Sequence, residues 1–296
     1  MDGIKRTGKL RIRGHRVVLS RSTGGDAGIT FFLMILGAFM IIPMVYVISQ
    51  SLKPLDELFM FPPRFLVRRP SLANFKDLFT LLDDNLVPFS RYIFNTVFIT
   101  FAGTLGNLLL ASMAAYALSK LTFPGRNFIF KMIVTSLMFH STVNMVTHFI
   151  LFSAFRMIDT YFAYILPAVA ATLGLYLMKQ FMDSAVHESI LESARLDGAS
   201  EFKIYWVIAM PMVKPAWLTL IIESFRGLWN TGSSVYIHSE QLKTFTYAIN
   251  QVVSGGIARS GAGAAAAVLV MIVPILVFVI NQSQIIETMG SSGMKD

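Results

Sequence analysis

Polar residues inside otherwise apolar stretches are the first candidates for chemistry in this sequence. They form two sets whose three- and four-residue spacing places each set on one face of a helix. The first set is His140, Asn144, Thr147 and His148, and the second is Thr219, Glu223, Arg226 and Asn230. Such side chains can hydrogen-bond a polar solute or hold neighbouring helices together, whereas lipid would reject them. Both uses remain open from the residues alone.

Glu223 is the acidic residue placed well inside a hydrophobic run. A charge at the centre of a membrane costs roughly 2.5–3.5 kcal/mol or more, so Glu223 needs a partner or a proton. Arg226, about one helical turn later, can be that partner. His140 and His148 are more typical of satisfied packing residues than of ligands, and their spacing does not indicate a metal site. We therefore predict an ion pair in this run and no metal.

The composition excludes several kinds of chemistry. The sequence contains no cysteine, so it has no disulfides, thiolate metal sites or cysteine nucleophiles. It also has no phosphate loop of the form G-x-x-x-x-G-K-[ST] and no group of acids and bases suited to catalysis. We therefore predict that the chain is not an enzyme by itself and binds no cofactor.

A polar, helix-favouring segment runs from Glu192 to Pro211 between two apolar stretches. Its residues predict a helix that ends or bends at Gly198, followed by a second helix that ends at Met-Pro. The first helix could dock into a groove on a partner through apolar anchors. The candidate anchors are Ile190, Leu191, Ala194 and Leu196. The helix could equally lie among lipid headgroups, and the residues alone leave the two alternatives open.

Long apolar runs are the elements that position these residues. Hydrophobic residues make up 54% of the 296 residues and charged residues 14%, which is typical of a membrane protein. A span needs about 20 apolar residues in a helix. Candidate runs lie near Ile29–Ile48, Tyr92–Leu118, Phe128–Phe152, Tyr161–Met178, Trp217–Trp229 and Gly263–Ile280. The predicted fold class is an all-α polytopic membrane protein with six transmembrane helices.

Charge predicts how these spans are oriented. Residues 1–28 form a basic segment, and Lys and Arg before a first span favour the cytoplasm. The first run is too long for a signal-peptide core, so we expect it to be retained. A six-span domain at 29–281 then returns the tail 282–296 to the cytoplasm, where the loop 179–214 also lies. The net charge of +8 is explained by topology, and nucleic-acid binding is not expected.

The same orientation places two long loops outside, together with the short turn 153–160. The first, residues 50–91, contains several prolines, and we expect it to be extended rather than folded. The second, residues 230–262, contains glycines that are compatible with a flexible loop.

The polar segment also carries a specific spacing, E-[S]-A, three residues, G, nine residues, I-x-[M]-P. The residues of this pattern are Glu192, Ser193, Ala194, Gly198, Ile208, Met210 and Pro211. The spacing resembles the E-A-A signature of binding-protein-dependent ABC importer permeases, with Ser193 in place of alanine and Met210 in place of leucine. Asp197–Ala199 and Lys214–Ala216 match its extended form. Further similarities along nearly the whole chain point to the carbohydrate branch of that family, similar to the smaller maltose-type permease.

The resemblance implies a role for the polar segment. It would be a cytoplasmic coupling helix between the fourth and fifth spans, in contact with a dimeric ATPase that uses ATP and Mg²⁺. The implied coupling residues are Glu192, Ser193, Ala194, Asp197, Gly198, Ala199, Ile208 and Pro211. The family also implies a heterodimer with a second permease, an extracytoplasmic solute-binding protein, and a multi-pass location in the bacterial cytoplasmic (inner) membrane.

In such an importer the polar stripes would line the path of the solute. The predicted path residues are His140, Asn144, His148, Thr219, Glu223, Arg226 and Asn230. The branch implies an oligosaccharide, and three arginines predicted outside, Arg64, Arg68 and Arg69, make an acidic oligosaccharide of the alginate type worth testing. One alternative is an importer for a non-sugar solute. Another is a polytopic membrane glycan or lipid transferase, which would gather carboxylates at one membrane face, an arrangement that the sequence does not show.

Overall fold

The computed structural model describes residues 23–83, 87–139, 141–232 and 235–292, and this part of the chain is helical with no strand. The chain divides into two compact units, residues 1–46 and 47–296. In the first unit, the described residues belong to the apolar helix α1 (Thr23–Leu52), whose large side chains are mostly exposed. The second unit contains the remaining helices and the hydrophobic core. The all-α prediction is thus confirmed for the described residues.

Four segments of the described chain are long and apolar enough to cross a membrane. They are Gly25–Leu52, Phe89–Lys120, Phe162–Ala185 and Ile257–Gln282, and they contain most of the predicted first, second, fourth and sixth spans. The fifth predicted span belongs to α12 (Lys214–Trp229), which meets the preceding helical segment Glu201–Met212 at 83°. If this bent pair counts as one span, the described chain has five.

The predicted third span, Phe128–Phe152, is not one helix. It consists of α5 (Arg126–Ser136) and α6 (Ser141–Ala154), with a break between them. The hydroxyls of Thr135 and Ser136 bond the carbonyls of Lys131 and Ile133 at 2.8 and 2.7 Å, a local pairing that competes with helix propagation. The count of six spans therefore stays a prediction.

The first predicted outside loop is folded, so the expectation of an extended segment is wrong. It contains the helices α2 (Leu55–Leu58) and α3 (Ala73–Asp83). The buried amide of Asn74 donates to the carbonyls of Ser51 and Lys53 at 2.9 and 2.7 Å, and Leu78 and Leu82 of α3 are fully buried. Prolines delimit these short helices rather than keeping the segment open, because buried side chains satisfy the backbone at the turns.

The helix α4 (Phe89–Lys120) is the centre of the packing. It contacts α7 (Phe162–Val169), α8 (Thr172–Ala185) and α12. A Cβ atom at Gly103 would lie 2.5 Å from Leu228, and one at Gly106 would lie 2.7 Å from Val169. These two glycines therefore allow close packing of the helices.

The guanidinium of Arg126 holds the C-terminal end of α4. It donates to the carbonyl oxygens of Leu118, Ser119 and Leu121 at 2.8, 3.1 and 3.3 Å. A cation here satisfies carbonyls that have no helical partner and complements the helix dipole. The turn that brings Arg126 back passes through Gly125, whose φ of 86° suits glycine.

Candidate functional site

The predicted coupling segment is a helix, a turn and a second helix, as the sequence indicated. Helix α9 (Glu188–Leu196) ends at Asp197, and Gly198 adopts a φ of 77°. The amide of Gly198 donates to the carbonyl of Arg195, and that of Ala199 to the carbonyl of Ala194, both at 3.0 Å. These two bonds form a Schellman motif, which requires a left-handed residue at the position of Gly198.

The second helix begins at a serine cap and is irregular in its middle. The side chain of Ser200 accepts a hydrogen bond from the amide of Lys203 at the start of α10 (Glu201–Ile204). A π-helical turn, Tyr205–Ala209, follows, and α11 (Met210–Met212) completes the segment. Of the predicted coupling residues in this helix, Ile208 packs against the core and Pro211 is exposed. Such π turns locally break the helical hydrogen-bond ladder.

The two faces of α9 differ sharply. Glu192, Ser193 and Asp197 are exposed, whereas Leu191 is fully buried against the protein's own core. The expectation of Leu191 as an anchor for a partner is therefore wrong, because the helix uses that face to fix itself to the chain. Ala194 and Ala199 also pack against this core, and their coupling role stays a prediction. Leu196, in contrast, is 89% exposed beside the turn.

An ion network ties α9 to the helix that follows and to α4. Arg195 contacts Glu188 at 2.8 Å and Glu201 at 2.7 Å, and the second oxygen of Glu201 accepts a 2.7 Å bond from the Tyr116 hydroxyl. The guanidinium of Arg195 beside Glu201 holds the pKa of that carboxyl below its usual range. The roles of Arg195 and Glu201 were not predicted, since Tyr116, the distant partner of Glu201, lies in another apolar run.

A cavity of about 990 Å³ brings the two polar stripes together. Its lining includes Asn144 and His148 from α6 and Thr219 and Glu223 from α12, together with a larger number of apolar side chains. These four residues thus line one cavity, and their role in a solute path stays a prediction. His140 lies outside the described residues.

The stripe residues also make hydrogen bonds and contacts within their own helices. Arg226 contacts both carboxylate oxygens of Glu223 at 3.1 Å, which confirms the predicted ion pair. Asn230 donates to the carbonyl of Arg226 at 2.8 Å. The Thr219 hydroxyl bonds the carbonyl of Pro215, and the ring of His148 stacks on Phe152. Arg226 and Asn230 thus continue the polar face of α12 without being part of the cavity lining.

Asn107 is a cavity residue that sequence analysis missed. It lies on α4, is fully buried, and donates to the carbonyls of Ala168 and Val169 at 2.7 and 3.3 Å. Its side-chain oxygen accepts a 3.0 Å bond from Ser224 on α12. The signal available in the sequence was an asparagine within the second apolar run, where lipid would reject it.

The loop after α12 is held by hydrogen bonds at several points. Asp159, itself at a φ of 60°, accepts bonds from the amides of His238 and Ser239 at 3.0 and 2.8 Å and from the Ser239 hydroxyl. Asn95 at the start of α4 donates to the carbonyls of Gln241 and Lys243, both at 2.8 Å. The expected loop at 230–262 is therefore partly ordered, and it includes the helix α13 (Phe245–Val253).

No group of three His, Asp or Glu side chains suited to a metal ion occurs among the described residues. The chemistry of the lining is therefore described by hydrogen bonding, one ion pair and apolar contact. This combination suits the binding of a polar organic molecule with apolar faces.

No family model matches the chain. Among known proteins, it is 31% identical to Protein LplC of Bacillus subtilis (strain 168) over 204 residues, which are 67% of this chain and 65% of LplC. It is 28% identical to the arabinooligosaccharides transport system permease protein AraQ of the same organism over 228 residues, which are 76% of this chain and 80% of AraQ.

Solved structures share the fold. One is a bacterial ABC transporter involved in the import of the acidic polysaccharide alginate, which matches with a TM-score of 0.74 at 22% identity over 89% of this chain and 98% of the matched chain. Another is a bacterial alginate ABC transporter in complex with alginate pentasaccharide-bound periplasmic protein, with a TM-score of 0.58 at 16% identity over 86% and 93%. The chain is therefore similar to the permease proteins of ABC transporters, and its apolar helices indicate a multi-pass membrane protein.

Proposed function

We propose that this chain is a transmembrane permease subunit of an ATP-driven importer that moves an oligosaccharide from a solute-binding protein into the cytoplasm. The observation that carries the proposal is the turn at Gly198. There, Glu192, Ser193 and Asp197 are exposed on a helix whose opposite side is fixed to the core by Leu191. A polar, rigidly mounted projection of this kind suits docking on another subunit.

The proposed assembly has six spans in the bacterial cytoplasmic membrane, with both termini and the coupling turn in the cytoplasm. The pair α5 and α6 would form the third span, and α12 the fifth. The segments 1–28, 29–281 and 282–296 keep their predicted roles as basic segment, permease domain and tail. Partners would be a second permease, an ATPase dimer, a solute-binding protein and the lipid bilayer. The alginate transporter bound to a periplasmic protein supports the solute-binding partner.

ATP hydrolysis would take place in the separate ATPase, which would bind ATP and Mg²⁺. This chain would contribute the docking surface and part of the path, without a cofactor of its own. The alternating exposure of the path would follow from rigid-body rocking of helices around it.

The cavity between α6, α7, α8 and α12 would be this subunit's share of the path. Its volume of about 990 Å³ suits a small oligosaccharide, whose sugar rings have apolar faces and hydroxyl edges. Asn144, His148 and Glu223 would meet the hydroxyls, and the apolar lining would meet the faces. His140, Thr219, Arg226 and Asn230 complete the proposed path. The alternative use of these residues is to hold the second permease.

A single-cysteine experiment tests the docking assignment, since the sequence has no native cysteine. In the full complex, Asp197→Cys should cross-link to a cysteine placed in the groove of the ATPase. Arg69→Cys, which is also exposed but predicted on the opposite side of the membrane, is the matched control and should not. Active uptake with no cross-link from position 197 would refute the coupling role.

The solute class needs its own measurement. The complex in lipid nanodiscs should show ATP hydrolysis that rises when its binding protein is loaded with the correct sugar. The rate of ATP hydrolysis is compared between neutral oligosaccharides, such as arabinose oligomers, and uronate oligomers of the alginate type. The importer for a non-sugar solute becomes the better assignment if every oligosaccharide leaves the rate unchanged. Sugar or lipid transfer by the purified chain alone would instead favour the membrane transferase.

A further inference from the structure

Two pairs of polar side chains join α4 to the helix after the coupling turn. The hydroxyl of Tyr116 donates to Glu201 at 2.7 Å, and the hydroxyls of Ser112 and Tyr205 lie 2.6 Å apart. Ser112 and Tyr116 are four positions apart on α4, and Glu201 and Tyr205 are four positions apart on the second helix. The two hydrogen-bonded pairs are therefore about one helical turn apart. The rings of Tyr116 and Tyr205 also pack, with centroids 5.6 Å apart.

This arrangement defines a single register between the two helices. Ser112, Tyr116 and Tyr205 are almost completely buried within the apolar core cluster. A hydrogen bond in such surroundings is stronger than one in water, and breaking it leaves a polar atom without water. A slip of one helix along the other would break both bonds together, so the two bonds favour this one register.

The coupling turn is connected directly to these pairs. Arg195 on α9 holds Glu201 at 2.7 Å, and Glu201 is the acceptor for Tyr116. The π turn begins at Tyr205, which is itself one of the paired residues, and it interrupts the regular helical ladder there. Further along α4, Asn107 bonds the broken helix that lines the cavity. Rigid attachment before the irregular turn favours bending after it.

We propose that Ser112, Tyr116, Glu201 and Tyr205 form a latch that transmits displacement of the coupling turn to α4 and, through α4, to the wall of the cavity. The proposal rests on the proposed function of the turn as the ATPase contact. The four are positioning residues, since they contact neither the ATPase nor the solute in this account.

Tyr116→Phe and Tyr205→Phe test the latch, because each removes one oxygen and keeps the ring. Folding should tolerate both changes. In Tyr116→Phe, Glu201 still has its ion pair with Arg195. In Tyr205→Phe, the Ser112 hydroxyl still has its 2.5 Å hydrogen bond to the carbonyl of Leu108. Tyr176→Phe is the matched control, as Tyr176 stacks on Phe130 away from the latch.

The measurements are made on the full complex in nanodiscs or proteoliposomes, normalised to the amount assembled. Each latch variant should lower solute uptake and binding-protein-stimulated ATP hydrolysis roughly tenfold. A loss of this size is expected when one buried hydrogen bond needed for the transmission is removed. The cross-link from Asp197→Cys to the ATPase should persist in the latch variants. A merely structural role would lower assembly without changing normalised uptake.

A double-mutant comparison tests whether Tyr116 and Glu201 act through their shared hydrogen bond. Tyr116→Phe combined with Glu201→Gln should be no more impaired than the worse single variant if both act through one contact, whereas independent effects would multiply. Normalised uptake in Tyr116→Phe and Tyr205→Phe equal to that of Tyr176→Phe would overturn the latch. Failure of the proposed function is a different result, namely absence of the 197 cross-link in the otherwise unchanged protein.

Discussion

Asn107 on α4 donates a 2.7 Å hydrogen bond to the carbonyl oxygen of Ala168 in the last turn of α7. Pro167 lies in this turn, and the helix stops two residues later before α8 begins. Carbonyl groups at such a break lack the amides of a continuous helix and need other donors. One buried side chain thus stabilises a break in a span that lines the cavity.

Replacing Asn107 by leucine should therefore weaken the broken span. The change keeps the size but removes the donor to Ala168 and the acceptor for Ser224, which should cost roughly 1–3 kcal/mol. We expect a lower unfolding temperature in detergent, measured by intrinsic tryptophan fluorescence, since the protein has no cysteine for a thiol-reactive dye. Ser224→Ala is the control, because it removes only the 3.0 Å bond and leaves Ala168 satisfied. Equal losses in the two variants would contradict the assignment.

Position 198 should require glycine because its backbone is in the left-handed region. At a φ of 77°, an L-residue such as alanine costs roughly 1–2 kcal/mol, whereas asparagine tolerates this region better. A Cβ atom would have no neighbour within 4 Å in the described chain, so size alone should not matter there. Uptake by the complex should therefore follow the order Gly198, Gly198→Asn, Gly198→Ala.

The reverse order would carry a different meaning. If the larger asparagine impairs uptake more than alanine, the position is limited by space rather than by backbone conformation. That result would place a partner surface directly against Gly198. Limited proteolysis at the turn, measured on the isolated subunit, separates a loosened turn from a blocked docking surface.

The parts of this structure that could be predicted are those fixed by nearby residues. The turn at Gly198 depends on a serine cap, a glycine and helix formers within about ten residues, and it was predicted. The pairing of Tyr116 with Glu201 joins residues 85 positions apart, and that of Asn74 with Ser51 joins residues 23 apart. Such contacts have no local pattern, so the latch and the folded outer segment could not be predicted.

Helical spacing predicted which polar residues share a face, and four of them, Asn144, His148, Thr219 and Glu223, line the cavity. Spacing could not reveal Asn107, because no other polar residue of its run was recognised as sharing a face with it. The break between α5 and α6 was also missed, since apolar residues continue on both sides of it. The sequence thus predicts which polar residues share a helix face. How these faces are arranged relative to one another depends on the packing of the helices.

Glu223→Gln should separate a solute contact from a structural one. The side chains of Glu223 and Arg226 are 59% and 63% exposed, so their ion pair contributes little to stability. We expect an unchanged unfolding temperature and roughly tenfold slower uptake, as for loss of a charged hydrogen bond to a solute hydroxyl. The control is Thr219→Val, since that hydroxyl already bonds Pro215. Loss of the second permease on purification would instead favour a role in helix contact.

Acid should release the outer loop at Asp159. The Ser239 hydroxyl and the amides of Ser239 and His238 bond this carboxylate, and they lower its pKa below the ordinary value, with burial opposing them. A carboxyl with a lowered pKa in the folded state stabilises that state above its unfolded pKa of about 3.9, and the stabilisation is lost as pH falls below that value. Hydrogen exchange at residues 236–244 should therefore remain slow from pH 7 to about 5, after correction for intrinsic rates, and should rise as the pH falls below about 4. Asp159→Asn should abolish this acid step, and an unchanged pH profile in that variant would assign the transition to another group.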